Sequence, residues 1–578
     1  MGKKVAGQLI EMLVENGIKR IYAVTGDSLN ELNDAVRRNG NIKWIHVRHE
    51  EVGAYAAAAE AELDGIGCCA GSSGPGHVHL INGLYDAHRA GAPVIAIAAT
   101  INTREFGTNY HQETNTIKLF DDCSCYNQLI QTPAQAPRML QTAIQHAIHQ
   151  RGVAVIGLPG DVSAQTAEES VAAMHNYKSF TLHRPIDEEL HKAAVLLNKY
   201  PKISIFCGVG AKHAREEIIR LSELLKAPVG YSFRGKMGIQ YDNPNDVGMT
   251  GLLGLPSAYH AMHESDVVLL LGTDFPYTPF IPTNNKLIQI DDRPEKLGRR
   301  AKLELGLTGD IKDTLTALLP LIKNKTDDSF LGAQLKLYER VKKHLNIYVK
   351  DSGAKDFIQP EYVTHAIDEL VSDNAIFTMD TGMCCVWGAR YITAAKGRRS
   401  LASSNHGSMA NAMPMAIGAA LAHPEKQIVA LCGDGGLTML LGDLITIKQY
   451  NLPIKILVFN NRSLGMVKLE MEVQGLIDNE TDLINPDFAL IGAAMGFKSI
   501  TIDEPEKVYE QLSDALAHSG PVIVNIKTNP NALALPPKIE WEQVKGFTLS
   551  VGKMMLSGRM DEAMQTLKSN YKHLTEII

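Results

Sequence analysis

The sequence predicts an α/β protein of three doubly wound parallel-sheet domains followed by a C-terminal helical tail. Three stretches of the chain alternate short apolar segments with amphipathic helical ones, an order typical of parallel sheets covered by helices. Several apolar segments end in Gly, Asp or Asn, at the strand ends where open α/β sheets bind ligands. The predicted domains are 1–182, 183–334 and 335–530, and the predicted tail is 531–578.

Length and composition favour several domains and exclude some functions. The 578 residues suit three or four domains, and 45% apolar with 21% charged residues lets each bury a core. The net charge of −7, without a long basic run, excludes nucleic acid as a partner. The eight cysteines form no Cys-x-x-Cys pair, which predicts reduced thiols in the cytoplasm. The sequence shows neither a signal-peptide pattern nor an apolar run of about 18 residues.

The first domain is predicted to have strands near 21–24, 44–47, 67–70, 94–98 and 153–157. The second of these leads into Glu50 and Glu51, which are either a solvated helix start favoured by the helix dipole or a catalytic carboxyl group. The glycine-rich segment 71–76 is either a ligand-binding turn or a plain loop. His77 and His79 have an alternating spacing, but no third ligand is evident, so no metal is predicted there.

The central domain has glycines, an arginine and acidic residues after its predicted strands 203–207, 229–232, 267–271 and 287–290. Gly208 and Gly210 follow the first strand, Arg234 the second, Asp274 the third and Asp292 the fourth. Glycine and arginine suit a pyrophosphate, and an aspartate suits ribose hydroxyls, so this pattern favours a dinucleotide. Many α/β domains nevertheless end strands in Gly or Asp, which leaves a plain structural role open.

The third domain begins near Pro360, after a linker and a charged amphipathic helix, and contains the most informative segment. Residues 428–463 read as strand, Gly-Asp-Gly-Gly turn, helix, strand and an Asn pair. Glycines in this turn permit close backbone approach to a diphosphate, while Asp434 and Asn461 offer the oxygen ligands that Mg²⁺ prefers. Neither a Walker P-loop nor the Rossmann glycine fingerprint is present.

This motif, with its spacing from Gly-Asp-Gly to Asn-Asn, resembles that of the thiamine-diphosphate enzymes. The resemblance runs through nearly the whole chain and points to bacterial flavin-containing pyruvate oxidases, including the pyruvate:quinone oxidoreductases (quinone-dependent pyruvate dehydrogenases). It implies thiamine diphosphate, Mg²⁺ and FAD as cofactors. It implies that Asp434, Asn461 and the main-chain carbonyl of Ser463 bind the metal, and that Glu50 is the catalytic acid on the coenzyme's pyrimidine ring.

The same resemblance assigns further residues. Met409 matches an apolar wedge that bends the coenzyme, although a buried core methionine is the ordinary interpretation. The implied thiamine-diphosphate site consists of Glu50, Gly407, Ser408, Met409, Asp434, Gly435, Gly436, Asn461, Leu464, Gly465 and Met466. The implied FAD site consists of Gly251, Leu252, Leu253, Gly254, Asp274, Phe275, Pro276, Tyr277, Thr278 and Asp292. The implied substrate contacts are Ser28, Gln112 and Glu470.

The implied reaction is oxidative decarboxylation of pyruvate to acetate and CO₂ through hydroxyethyl-thiamine diphosphate, with electrons passing to FAD and then to a membrane quinone. His111 and Met466 replace phenylalanines of the relatives, which leaves the exact 2-oxo acid and the acceptor open. Alternatives are an acetolactate synthase-like carboligase with non-redox FAD, an oxygen-using pyruvate oxidase, a plain 2-oxo acid decarboxylase and an inactive scaffold.

The resemblance also implies a homodimer or homotetramer, because the two halves of such a site come from different subunits. In the tail, apolar residues recur at helical spacing with basic residues around them. The stripe is Leu556, Met560, Ala563, Leu567, Leu574 and Ile578, and the basic residues are Lys553, Arg559, Lys568 and Lys572. The tail either packs permanently on the body or binds a lipid surface, which would place the protein on the inner face of the cell membrane.

Overall fold

The computed structural model describes residues 2–168 and 182–532, together with a few tail residues: 547, 549–551, 553–555, 563, 564 and 566. Within these ranges the chain forms three parallel six-stranded sheets with helices on both faces, which confirms the predicted fold class. The limits predicted for the domains stay predictions. No helix among the described residues has the length and apolar character needed to cross a bilayer.

The first sheet has the strand order β2-β1-β3-β4-β6-β5. Its strands are β1 Arg20–Ala23, β2 Lys43–His46, β3 Gly67–Gly71, β4 Val94–Thr100, β5 Tyr126–Leu129 and β6 Val153–Pro159. The helices around it are α1 Val5–Glu15, α2 Asn30–Asn39, α3 Glu50–Asp64, α4 Pro75–Val78, α5 Ile81–Ala90, α6 Thr116–Leu119, α7 Ala136–Gln150 and α8 Gly160–Ala164.

The central sheet has the order β12-β11-β10-β7-β8-β9. Counted from its own first strand this is 6-5-4-1-2-3, the order of dinucleotide-binding folds, whose ligands lie where the order reverses, between β7 and β10. The strands are β7 Ile203–Cys207, β8 Val229–Tyr231, β9 Asp246–Met249, β10 Val267–Leu271, β11 Lys286–Asp291 and β12 Leu305–Thr308. The helices are α9 Asp187–Lys199, α10 Arg215–Leu225, α11 Lys236–Ile239, α12 Pro256–His263, α13 Ile311–Leu318 and the long α14 Ser329–Tyr348.

The third sheet, entered after a small hairpin (β13 Gly353–Ala354, β14 Phe357–Ile358), has the order β16-β15-β17-β18-β20-β19. This is the same topology as that of the first sheet. The strands are β15 Ile376–Met379, β16 Arg399–Ala402, β17 Ile428–Gly433, β18 Ile454–Asn460, β19 Lys498–Ile502 and β20 Val522–Lys527. The helices are α15 Pro360–Leu370, α16 Met383–Tyr391, α17 Ala412–Ala422, α18 Asp434–Met439, α19 Leu444–Gln449, α20 Gly465–Val473, α21 Phe488–Ala494 and α22 Val508–Ala517.

The first and third domains share one hydrophobic core, which forms where α3 packs on α17. Both helices carry small residues on the contacting faces, so their backbones approach closely. A Cβ atom placed on Gly418 would lie 2.2 Å from the carbonyl oxygen of Ala56. Only glycine therefore fits at this crossing. The contact fixes the start of α3 relative to the segment that precedes α17.

The described tail residues pack against α20. Phe547, Val551, Met554 and Ala563 are buried in a small cluster that includes Leu469 of α20. Lys553, predicted as one of the basic tail residues, donates a hydrogen bond from Nζ to the carbonyl of Gly475 at 2.8 Å. The other predicted stripe and basic residues of the tail, Leu556, Met560, Leu567, Leu574, Ile578, Arg559, Lys568 and Lys572, lie outside the described residues.

Candidate active site

Glu50 is the first residue of α3 and is 7% exposed, so it is buried rather than solvated. His49 caps the helix, because its Nδ1 accepts a hydrogen bond from the backbone N–H of Glu51 at 3.3 Å. Oε2 of Glu50 lies 2.9 Å from Nδ1 of His79, and the rings of His49 and His79 stack with centroids 4.5 Å apart. These contacts hold the carboxyl group of Glu50 in one orientation.

The predicted substrate residues Ser28 and Gln112 meet on the turn 71–76 that follows β3. Ser28 Oγ accepts a hydrogen bond from the backbone N–H of Ser73 at 2.9 Å, and Ser73 Oγ donates to Gln112 Oε1 at 2.7 Å. The same turn approaches Glu50, since a Cβ on Gly76 would lie 3.2 Å from Glu50 Oε1. β1 and β3 flank the reversal of strand order in the first sheet, which is where such sheets bind ligands.

Asp434, at the start of α18, is 3% exposed and accepts three hydrogen bonds. Its Oδ2 accepts hydrogen bonds from the backbone N–H of Arg462 at 2.7 Å and from Asn485 Nδ2 at 2.8 Å, while Oδ1 accepts from the N–H of Gly435 at 2.8 Å. Burial raises the pKa of Asp434, and these hydrogen bonds oppose the rise. Asn485 was not predicted, because it lies in a loop remote from the motif.

The second predicted metal ligand, Asn461, follows β18, the strand paired with β17. Its Oδ1 accepts a hydrogen bond from the backbone N–H of Ser463 at 3.0 Å. Ser463 Oγ is buried and has no hydrogen-bond partner within the described part of the chain. Asp434 and Asn461 are thus connected through the short segment that contains Arg462 and Ser463.

Asp380, which follows β15, is a site residue that the sequence did not reveal. It is 1% exposed, it accepts a hydrogen bond from the backbone N–H of Asn411 at 3.0 Å, and burial raises the pKa of its carboxyl group to about 7. A Cβ on Gly436 would lie 1.9 Å from Asp380 Oδ2, so this glycine is required by packing. β15 and β17 flank the reversal of strand order in the third sheet.

The segment before α17, which contains Ser408 and Asn411, connects Asp380 to the first domain. Ser408 Oγ accepts hydrogen bonds from Tyr55 Oη at 2.6 Å and from Asn82 Nδ2 at 3.0 Å. Gly407 has a φ of +76°, and a Cβ there would meet nothing within 4 Å. Met409 is half-buried rather than a core residue, and its Cε lies 3.5 Å from the position of a Cβ on Gly435.

Helix α20 carries the remaining predicted residues. Leu464 precedes it and lies beside Gly435, Gly465 packs on Asn461, and Met466 is half-buried against the core of the third domain. Glu470 is exposed on the same helix and follows Leu469, which packs against the described tail residues. His111, the departure noted beside Gln112, is exposed.

These residues fit a diphosphate held by Mg²⁺. The buried carboxylate of Asp434 and the amide oxygen of Asn461 are hard oxygen donors, and the ion commonly completes its shell with phosphate oxygens and water. The unpartnered Ser463 Oγ offers a buried polar group, and the position of Gly407, where a Cβ would meet nothing within 4 Å, offers space for such a ligand.

In the central domain the predicted FAD residues lie at the carboxyl ends of the strands. The two acidic residues among them form ion pairs with arginines. Asp274 binds Arg299 and Arg300, and Asp292 binds Arg151 of the first domain. The others lie on two facing loops: Gly251, Leu252, Leu253 and Gly254 on one; Phe275, Pro276, Tyr277 and Thr278 on the other. Gly251 has a φ of +110°, and a Cβ there would lie 2.9 Å from the Phe275 ring.

A cavity of about 280 Å³ opens nearby, beyond Val209 at the end of β7. Its lining includes four basic side chains, Lys212, Arg234, Lys396 and Arg399, together with Glu62, which pairs with Arg234. Burial lowers the pKa of Lys212. The loops after β7 and β10 touch here, because the backbone N–H of Gly210 donates to the carbonyl of Gly272 at 3.0 Å. A cationic cavity at the reversal of strand order suits a phosphate-containing ligand.

The fold defines a protein of three parallel-sheet α/β domains, of which the first and third have the same strand order. Three thiamine pyrophosphate enzyme models match the chain: the N-terminal TPP binding domain over 3–119, the central domain over 190–318 and the C-terminal TPP binding domain over 380–526. The chain is 36% identical to a putative thiamine pyrophosphate-containing protein, YdaP, of Bacillus subtilis, over 99% of this chain and 100% of that protein. The chain belongs to the thiamine pyrophosphate enzyme family.

Two other relatives have more specific names. A pyruvate oxidase of Lactiplantibacillus plantarum is 32% identical over 89% of this chain and 87% of its own. A probable acetolactate synthase large subunit of Methanocaldococcus jannaschii is 31% identical over 92% of this chain and 93% of its own. The chain is thus an enzyme similar to both decarboxylating oxidases and carboligases.

Proposed function

We propose that this enzyme oxidatively decarboxylates pyruvate to acetate and CO₂, using thiamine diphosphate, Mg²⁺ and FAD, with a membrane quinone as the final acceptor. One observation carries the proposal: Ser28, Gln112 and Glu50 converge on the single turn 71–76, at the ligand-binding edge of the first sheet. A small 2-oxo acid needs hydrogen-bond donors for its carboxylate and a proton donor close by, and this turn brings the two together.

The side chains have separate tasks. Asp434 and Asn461 would hold Mg²⁺, and the ion would bind the diphosphate. Thiamine diphosphate, when bound, supplies the carbon nucleophile and takes up the electron pair released with CO₂. Glu50 would hold and return a proton at the pyrimidine ring, and its burial protects that proton from exchange with bulk water.

Substrate is held by residues of the same turn. The hydroxyl of Ser28 and the amide of Gln112 would donate hydrogen bonds to the substrate carboxylate, and Gln112 keeps its place through Ser73. Gln112 has a φ of +64°, an uncommon conformation for a residue other than glycine, which is typical of functional positions. Glu470 would approach from α20.

FAD is proposed for the central domain because its strand order is that of dinucleotide-binding sheets and its cavity is cationic. Lys212 would pair with a phosphate of FAD. Lys212→Gln should weaken FAD binding about tenfold or more, because a charge-assisted hydrogen bond contributes about 1.5–3 kcal/mol. Flavin absorbance after gel filtration measures this, and Lys192→Gln, on an exposed helix of the same domain, is the control.

The decisive experiment is an absorbance spectrum of the purified enzyme, with and without pyruvate, under anaerobic conditions. Bleaching of the flavin band together with acetate formation would support the oxidase. An unchanged flavin band with formation of acetolactate would favour the carboligase, which the relatives named acetolactate synthase keep as the second candidate. An enzyme that purifies without flavin and releases acetaldehyde would be a plain decarboxylase.

The acceptor is tested separately. A quinone-dependent enzyme turns over with a soluble quinone analogue and forms little hydrogen peroxide in air. An oxygen-using pyruvate oxidase forms one peroxide for each pyruvate consumed.

We further propose that two chains form the active unit, and that Glu50 and Asp434 of different chains complete one site. Large apolar side chains are exposed in both domains: Val78, Tyr110 and Ile117 in the first, and Met439, Val467 and Ile484 in the third. Such side chains favour burial by another subunit. Mixing inactive Glu50→Gln with inactive Asp434→Ala protein should restore part of the activity, which would not occur if each chain held a whole site.

The tail is proposed to bind an anionic lipid surface, which would bring the enzyme to its quinone. The described tail residues pack on α20, the helix that carries Glu470. Release of the tail from the rest of the protein would therefore expose this helix. Truncation after Pro530 should abolish pyruvate-dependent binding to liposomes, while activity with a water-soluble dye persists or rises. If the truncated protein still sediments with liposomes after its flavin has been reduced, the tail has only a structural role.

A further inference from the structure

His49, Glu50 and His79 form a group with the composition of a metal site. Their ligand atoms all lie within 4.8 Å of one another, and they are the one group of at least three His, Cys, Asp or Glu side chains so arranged within the described ranges. The sequence predicted no metal at His77 and His79, because no third ligand was evident beside them. The structure shows that His77 points elsewhere, toward the carbonyl of Ala99 and Thr114, and that His49 and Glu50 complete the set.

Two imidazoles and a carboxylate are a common ligand set for Zn²⁺ sites with an open fourth position. Tetrahedral bonds of about 2.0–2.1 Å place ligand atoms about 3.3 Å apart, so a modest rotation of the two imidazoles is enough to close the group. In the single chain the side chains of His49 and His79 are 38% and 44% exposed. Glu50 is buried beneath them and would supply the anionic ligand.

We propose that Zn²⁺, or a divalent ion of similar preference, binds His49, Glu50 and His79 in the coenzyme-free protein, and that this ion and thiamine diphosphate exclude each other. Exclusion follows because both require the carboxyl group of Glu50: the ion needs it ionised and directed at the imidazoles, and the coenzyme needs it at the pyrimidine ring. This second part rests on the proposed function, whereas the metal site does not.

Zinc uptake is measured on coenzyme-free, Mg²⁺-free protein by isothermal titration, and the ligand field is read from the visible spectrum after loading Co²⁺. His79→Gln keeps a hydrogen-bond donor beside Glu50, and His49→Asn keeps an acceptor for the helix cap. His260→Gln is the matched control, because His260 is an exposed histidine 3.4 Å from Glu264 that belongs to no group of three ligand atoms within 4.8 Å of one another in the described part of the chain. The wild type and the control should take up one zinc per chain at this site, and each of the other variants should bind it at least tenfold more weakly.

Competition is measured as the apparent Kd of thiamine diphosphate with Mg²⁺ in excess, at increasing Zn²⁺. Chelation by free coenzyme affects every protein equally, so the comparison with His79→Gln isolates the site. Zinc should raise the apparent Kd for the wild type at least tenfold more than for His79→Gln. Equal zinc affinity in wild type, His79→Gln and His49→Asn would overturn the metal site and leave the proposed function untouched. Zinc binding without competition would overturn the exclusion, and with it the placement of Glu50 at the pyrimidine ring.

Discussion

Replacing Gly418 by alanine tests whether the close crossing of α3 and α17 holds the first and third domains together. The new Cβ would lie 2.2 Å from the Ala56 carbonyl oxygen and 2.9 Å from the Ala56 Cα. The helices must therefore separate by about 1 Å or more to restore ordinary van der Waals contact, along a face that is buried on both sides.

The magnitude follows from two opposing terms. Overpacking a well-packed core typically costs about 1–3 kcal/mol, and alanine gains about 1 kcal/mol over glycine inside a helix. We expect net destabilisation of up to about 2 kcal/mol, with a lower midpoint of urea or thermal unfolding. Gly332→Ala is the matched control, because Gly332 lies inside α14 and a Cβ there meets nothing within 4 Å.

The two variants should move in opposite directions. Gly332→Ala should be stabilised by about 0.5–1 kcal/mol, because alanine has a higher helix propensity than glycine and the new Cβ clashes with nothing there. If Gly418→Ala is as stable as Gly332→Ala, the crossing is looser than the structure has it, and the reasoning from Ala56 fails.

Three further predictions concern single carboxyl groups. Asp434→Ala should abolish binding of thiamine diphosphate with Mg²⁺ while flavin is retained, because the diphosphate charge loses its metal; normal coenzyme affinity by titration would contradict the metal assignment. Glu50→Gln should lower activity by ~10²-fold or more and slow exchange of the coenzyme's C2 proton, followed by NMR, in parallel; wild-type exchange would point to another acid. Asp86, bonded to Ser403 of the third domain, has a pKa raised by burial to about 6, so the folded state binds this proton more tightly than the unfolded state and stability falls as pH rises toward 6. Between pH 5 and pH 8 the free energy of unfolding of the wild type should fall by about 1.4 kcal/mol because of this group, and that of Asp86→Asn should not. Parallel unfolding midpoints of the two proteins across this range would refute the raised pKa.

The sequence predicted the central strands well and the sheet edges poorly, for a physical reason. The predicted strands were mostly those with continuous apolar runs, such as β4 and β18, which are buried on both faces. The strands β5, β9, β12, β16 and β19, none of which was predicted, are at sheet edges. They are less regularly apolar, as Tyr126–Leu129 shows, because one side of an edge strand faces solvent or a loop.

The candidate site divides in the same way. Asp434 was predicted from a motif with recognisable spacing, and Glu50 from the resemblance to the family. Asp380 and Asn485 were not, because their role depends on which strands become neighbours. The pairing of β15 with β17 brings Asp380 against Gly436, and a loop more than twenty residues beyond Asn461 brings Asn485 to Asp434. The arginine partners of Asp274 and Asp292 were likewise invisible, since Arg151 comes from another domain.

The shared core of α3 and α17 has a consequence for how the chain is made. A ribosome that has completed α3 must add about 350 residues before α17 appears, which takes about 20–70 s at ordinary elongation rates. During that interval the partner face of α3 has nothing to pack against. That face consists largely of alanine, from Ala54 to Ala61, rather than leucine or phenylalanine. Each alanine exposes little apolar surface, so the nascent first domain can wait in solution with less tendency to aggregate than a face of larger side chains would have.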